Sequence, residues 1–248
     1  MRPDGAEIAA VDMEGQLSIC TLGASATWQV MSHVPRLAVG GSGWMSYSPD
    51  GKTLCCIDRT TEAVMLVNVA SQTFSSLPVL PGTKANCVAF SSDGKLIAAA
   101  CDSAGVFVWN CSDLKIVQKF ATEGPVRAIA FRPGFHELAT FVMKDNRCVV
   151  LDVKTGEQRY VTEGHKETIT CLNYTHDGLR LITGSFDRTV RVWDAESGEG
   201  LLVIDGAPTW IRKLTISRDN RQIAFYCKID ELENSEILFL GGSDAKGD

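Results

Sequence analysis

A short string near Tyr47 returns along the whole chain, and that periodicity limits what the chain can fold into. Tyr47-Ser48-Pro49-Asp50-Gly51-Lys52 and Phe90-Ser91-Ser92-Asp93-Gly94-Lys95 are near copies. Phe131-Arg132-Pro133-Gly134, Tyr174-Thr175-His176-Asp177-Gly178 and Ile216-Ser217-Arg218-Asp219-Asn220 continue the series. The leading aromatic or Ile recurs in steps of 43, 41, 43 and 42 residues. A partial copy, Pro3-Asp4-Gly5, opens the chain. A sustained period of this size means stacked supersecondary units, each of which buries its apolar faces only against its neighbours.

Each unit reads as four short strands. In the fifth, Ile169 to Tyr174 is apolar and β-branched, and His176-Asp177-Gly178 supplies a turn. Arg180 to Ser185 follows, then the turn Phe186-Asp187-Arg188, the alternating run Thr189 to Trp193, and a last strand Leu201 to Ile204. Glycines and prolines fall between these runs, where they do not interrupt a ladder. No segment carries a sustained 3.6-residue apolar stripe. The expected fold class is all-β, a β-propeller of four-stranded antiparallel blades with about six repeats visible.

The residues at fixed places in this period resemble the WD-repeat family. Gly164-His165, Ser185-Phe186-Asp187 and Val190-Arg191-Val192-Trp193-Asp194 follow its pattern almost residue for residue. The third unit keeps Asp102 and Val108-Trp109-Asn110 without the His, the fourth has Asp145 with Leu151 in the Trp place, and the second keeps Asp58 and Val67-Asn68. The expected organisation is a propeller over residues 1–240: a partial blade at 1–38, repeats near 39–82, 83–124, 125–164 and 165–206, and an incomplete repeat at 207–240. A polar tail at 241–248 follows. Incomplete units at both ends fit a piece of a seven-bladed or larger propeller, with further blades supplied by the same longer polypeptide.

Composition removes several alternatives. With 24 Lys+Arg against 30 Asp+Glu the net charge is −6, and 45% of residues are hydrophobic, so a disordered chain is excluded. No apolar run approaches the ~18 residues of a membrane span, and Met1-Arg2-Pro3-Asp4-Gly5 has no signal-peptide pattern. An intracellular, cytoplasmic protein is expected. The nine cysteines contain no C-x-x-C pair and mostly sit in apolar runs, as reduced core thiols do.

His165, Ser185, Asp187 and Trp193 invite comparison with a catalytic triad. The resemblance implies instead a structural network in which the turn Asp meets His and a hydroxyl links His to the indole, with Thr183 as the alternative hydroxyl. No metal-binding His pair, G-x-S-x-G elbow or phosphate loop is present. No catalytic residue, metal or cofactor is therefore expected. Gly40-Gly41-Ser42-Gly43 reads as a loop, and the acidic stretch from Asp230 to Glu236 as a solvated insertion.

Function then has to sit on a face of the ring. The family places partners around the mouth of the central channel, four residues before the first-strand aromatic and just before the turn Asp. Carried onto this chain, those positions give Asn86, Arg127, Thr170 and Arg212, and Ile57, Lys144, Phe186 and Ile229, with Gly43, Val11 and Cys101 completing the sets. The expected function is a non-enzymatic scaffold for protein–protein interaction within a multi-protein assembly. The alternative is recognition of an acidic or phosphorylated peptide, or RNA phosphates, through Arg127, Arg212 and Lys144. The acidic net charge opposes nucleic acid as a partner.

Overall fold

The computed structural model describes residues 1–38, 45–77, 84–102, 105–142, 146–228 and 235–241. Among these, every regular element is a strand, and each strand pairs with its neighbour in sequence. Such a meander follows from turns too short for a crossover. The first sheet holds β1 (Glu7–Val11), β2 (Leu17–Thr21) and β3 (Thr27–Val30). The second holds β4 (Met45–Tyr47), β5 (Thr53–Ile57), β6 (Val64–Asn68) and β7 (Phe74–Ser76). The third holds β8 (Ala85–Phe90), β9 (Leu96–Cys101), β10 (Gly105–Asn110) and β11 (Ile116–Phe120).

The fourth sheet holds β12 (Val126–Phe131), β13 (Glu137–Val142), β14 (Cys148–Asp152) and β15 (Gln158–Thr162). The fifth holds β16 (Ile169–Tyr174), β17 (Arg180–Ser185), β18 (Val190–Asp194) and β19 (Gly200–Ile204). The last holds β20 (Ile211–Ile216), β21 (Gln222–Lys228) and β22 (Ser235–Gly241). The last strand thus runs one residue into the stretch expected as a polar tail; the rest of that stretch, the glycine loop from Gly40 and most of the acidic stretch lie outside the described residues. Two compact units divide the chain, Met1–Phe131 and Arg132–Asp248.

Within each unit, consecutive sheets bury apolar faces against each other. In the first, Ile57 and Val64 of the second sheet meet Val88, Ile97, Phe107 and Trp109 of the third. In the second, Cys171, Ile182 and Val190 of the fifth sheet meet Ile211, Leu214 and Phe225 of the last. Gly184 shows how close that approach is: a Cβ there would lie 2.7 Å from Ile211 Cγ2 and 2.8 Å from Cys171 Sγ. All nine cysteines are free thiols and eight are buried. Burial pushes the Cys87 and Cys148 thiols up to about 12, so they pack as hydrophobes rather than react.

The repeated turn explains the period. Ser48, Ser91, Thr175 and Ser217 each donate a hydroxyl to the Asp two residues on, at 2.5–2.7 Å. The same hydroxyl accepts the amide five residues on, closing the hairpin. The fourth sheet lacks both partners, because Arg132 and Gly134 stand in those places. Its solution is ionic. The buried Arg132 pairs with Glu137 at 2.9 Å and Glu196 at 2.8 Å, Arg159 joins both carboxylates, and Arg132 Nε donates to the Gly178 carbonyl. A buried guanidinium needs such complete pairing to offset its desolvation.

Candidate functional site

The loop before β16, the β17–β18 turn and the loop before β20 converge in the second unit. At the base lies a closed hydrogen-bond chain. Leu181 faces Trp193 and Thr183 faces Arg191 across β17 and β18, so Thr183 and Trp193 share one face of the sheet. Trp193 Nε1 donates to Thr183 Oγ1 at 2.9 Å, and that hydroxyl donates to His165 Nε2 at 2.7 Å. His165 Nδ1 then donates to Asp187 Oδ2 at 2.9 Å. One proton per step leaves a neutral imidazole carrying its hydrogen on Nδ1. Asp187 also accepts from the amides of Lys166 and Thr189 and from the Thr189 hydroxyl.

The expected hydroxyl therefore needs a correction: Thr183 links His165 to the indole, not Ser185. Two residues along a strand move a side chain by about 6.6 Å, and Ser185 sits at the strand end. Its hydroxyl reaches the Glu167 and Thr168 carbonyls at 3.0 Å and accepts the Asp187 amide at 3.1 Å, bracing the loop and the turn. Burial holds the His165 pKa below its ordinary value although Asp187 pulls it up. Burial alone would raise Asp187, but hydrogen bonds from Thr189, Lys166 and His165 outweigh it and hold the carboxyl at about 2. The imidazole has no exposed surface, so no substrate reaches it. The set is a clamp.

The positions expected to meet a partner divide sharply. Asn86, Thr170 and Arg212 each occupy the break in register between the first two strands of their sheets. Such a bulge re-aims its extra side chain. Thr170 donates to the Ile211 carbonyl at 2.6 Å, and Asn86 donates to the Val126 carbonyl at 3.0 Å. Both tie their sheet to the next strand in sequence. Asn86 also donates to Asp102 at 2.8 Å and accepts from Arg127 at 3.0 Å, while Arg127 reaches Asp102 at 3.5 Å. Arg127 is thus neutralised locally. Ile57 requires a second correction: it is 1% exposed, because the end of β5 turns it into the core, and it cannot touch a partner. Lys144 and Ile229 lie outside the described residues.

Arg212 and Phe186 behave differently. Phe186 packs on Trp210 with ring centroids 5.1 Å apart, and the Arg212 guanidinium lies 5.6 and 5.7 Å from the two rings. Trp210 remains 50% exposed. A cleft of about 380 Å³ opens beside them, lined by Lys166, Glu167, Phe186, Asp187, Arg188, Pro208, Thr209 and Trp210. Sequence reasoning missed Trp210, although it stands two residues before a named position; its signal was an aromatic beside Pro208 in an inter-strand loop. Among the described residues no cluster of metal-binding side chains occurs, and no helix is long and apolar enough to cross a membrane.

The family model for the WD domain, G-beta repeat, matches residues 74–110 and 156–194. Both segments end on a Trp followed by Asn or Asp, in the third and fifth sheets. These two segments match WD40 repeats. The chain is 33% identical to an intraflagellar transport protein 122 homolog of Xenopus tropicalis over 88 residues, 36% of this chain and 7% of that protein. It is 32% identical to a guanine nucleotide-binding protein subunit beta of Schizosaccharomyces pombe over 120 residues, 47% of this chain and 38% of that protein. The matches thus span well under two thirds of these relatives. A chain in the crystal structure of the mitotic checkpoint complex superposes with a TM-score of 0.64 at 18% identity, covering 74% of this chain and 59% of that one. That likeness concerns the fold, a β-propeller of four-stranded blades.

Proposed function

We propose that this chain is a non-enzymatic, intracellular scaffold in a multi-protein assembly, and that a protein partner docks on the cleft beside Phe186 and Trp210. The observation that carries this reading is the half-exposed Trp210, stacked on Phe186 and backed by Arg212. Aromatic and Arg side chains of this kind hold most of the binding energy in interfaces, with single truncations costing ~2 kcal/mol or more. The one set resembling a catalytic triad is closed to substrate, which supports a binding role over an enzymatic one.

A second reading, recognition of an acidic or phosphorylated segment, is favoured by the cations around the cleft. Lys166, Arg188 and Arg212 have no ionic partner among the described residues, although Glu167 stands on the same wall. The test is recovery of a cross-linked partner with the intact chain. Phe186→Ala and Arg212→Glu are expected to lose it at unchanged melting temperature, whereas Lys115→Glu and Lys154→Glu on other sheets keep it. The reverse pattern would remove the cleft from consideration. An affinity that falls steeply with salt would favour the acidic segment over an apolar one.

A further inference from the structure

The outer strand of the fifth sheet is unlike its counterparts. β19 reads Gly200-Leu201-Leu202-Val203-Ile204, and Leu201, Leu202 and Val203 are 48%, 54% and 49% exposed. It pairs with β18 on one side and, among the described residues, with nothing on the other. The fourth strands of the second, third and fourth sheets carry devices that discourage further pairing. β11 has Lys119, β15 has Arg159, and β7 is three residues long. Charged and short edges block strand addition, and apolar unpaired edges invite it. On β19 the free backbone groups are framed by apolar side chains on both faces of the strand.

The ends of the strand say what would fit. Exposed Glu199 precedes Gly200 and exposed Asp205 follows Ile204, and neither side chain has an ionic partner among the described residues. A second copy pairing antiparallel about Leu202 would set Glu199 opposite Asp205 twice, and like charges directly opposite destabilise a ladder. An incoming strand with basic ends meets opposite charges instead. We propose that β19 is a strand-addition site for an extended segment of a partner protein, β-branched in its middle and basic at both ends. Main-chain hydrogen bonds along β19 supply the affinity, and the flanking acids supply selectivity. This surface is independent of the aromatic cleft, and the proposal stands whether or not a partner uses that cleft.

The experiment uses the intact chain and two fluorescent peptides, Lys-Thr-Val-Thr-Val-Thr-Lys and the same core with Glu at both ends. Anisotropy is expected to show about tenfold tighter binding of the Lys-ended peptide, from two charge pairs changing sign. Saturating peptide is expected to protect the amides of Leu201 to Ile204 from hydrogen exchange. Leu202→Lys is expected to abolish binding. Should that variant misfold, Glu199→Lys combined with Asp205→Lys is expected to reverse the preference toward the Glu-ended peptide. Equal affinity for both peptides, an unmoved preference in the charge-swapped variant, or protection elsewhere would overturn the proposal. Concentration-dependent self-association that protects the same amides without peptide would assign the edge to a second copy and overturn it equally.

Discussion

The third and fifth sheets keep the same Trp and turn Asp, yet they secure the Asp by opposite means. In the fifth, Asp187 sits almost wholly buried behind a neutral imidazole, and its charge is balanced by three further donors. In the third, where the His is missing, Asp102 is about a third exposed and is held by the bulged Asn86 and by Arg127. The first arrangement works by hydrogen-bond direction inside a low-dielectric site, the second by charge near water. Both sheets still reach the next strand through the bulge, with Thr170 in one and Asn86 in the other. The inter-sheet tie is therefore separable from the signature that surrounds it.

The largest expected effect is Trp193→Ala. Removing a buried indole costs ~3–5 kcal/mol, and a denaturant melt indistinguishable from the parent would break the clamp reading. Next comes Gly184→Ala, whose methyl would collide with Ile211 and Cys171; overpacking of this kind costs ~1–3 kcal/mol. Cys171→Ala in the same chain, which removes the Sγ that the methyl would meet, is expected to recover part of the loss, and no recovery would mean the strain lies elsewhere.

Thr183→Val leaves the indole N–H and His165 Nε2 without their link, at ~1–3 kcal/mol. A double-mutant cycle with Trp193→Phe is expected to show coupling of ~0.5–3 kcal/mol, while Ser185→Ala in the same cycle shows none. Coupling through Ser185 instead would restore the hydroxyl expected from the sequence.

The pH dependence sharpens the contrast between the sheets. His165 has a depressed pKa when folded, so the unfolded state binds more protons as pH falls through the ordinary imidazole range, and stability drops there. Asp187, held at about 2, adds a further loss as pH falls below the ordinary carboxylate range of 3.8. His165→Gln is expected to flatten the upper limb of the stability–pH curve; an unchanged upper limb would sink the assignment. The smallest effect is Arg127→Ala, since half-exposed ion pairs contribute ~0–1 kcal/mol. That loss is expected to shrink as salt is raised, and a salt-independent loss would mean that Arg127 acts through packing.

The period and its turns made the fold legible, because a Ser-Asp pair with Gly at positive φ encodes one hairpin in very few residues. Thr183 against Ser185 was not legible to the same degree: both hydroxyls share a strand face, and only the register with β18 says which lies under the indole. The burial of Ile57 and the pairing of Arg127 were hidden for a related reason. Position in a repeat gives the direction of a side chain relative to its own sheet, but a bulge redirects it and the neighbouring sheet decides what it meets. Trp210 escaped notice because it belongs to a loop between repeats, where the period carries no information.

The Asp187 carboxylate accepts amides from both the loop before β16 and the turn after β17. Neither segment can open alone without breaking its bonds to an acceptor that the other also depends on, so the two open as a single cooperative block. The wall they form for the neighbouring cleft is consequently set in place before any ligand arrives. A ligand there forfeits little chain entropy to order its receptor, and its residence time is governed by contacts rather than by loop closure.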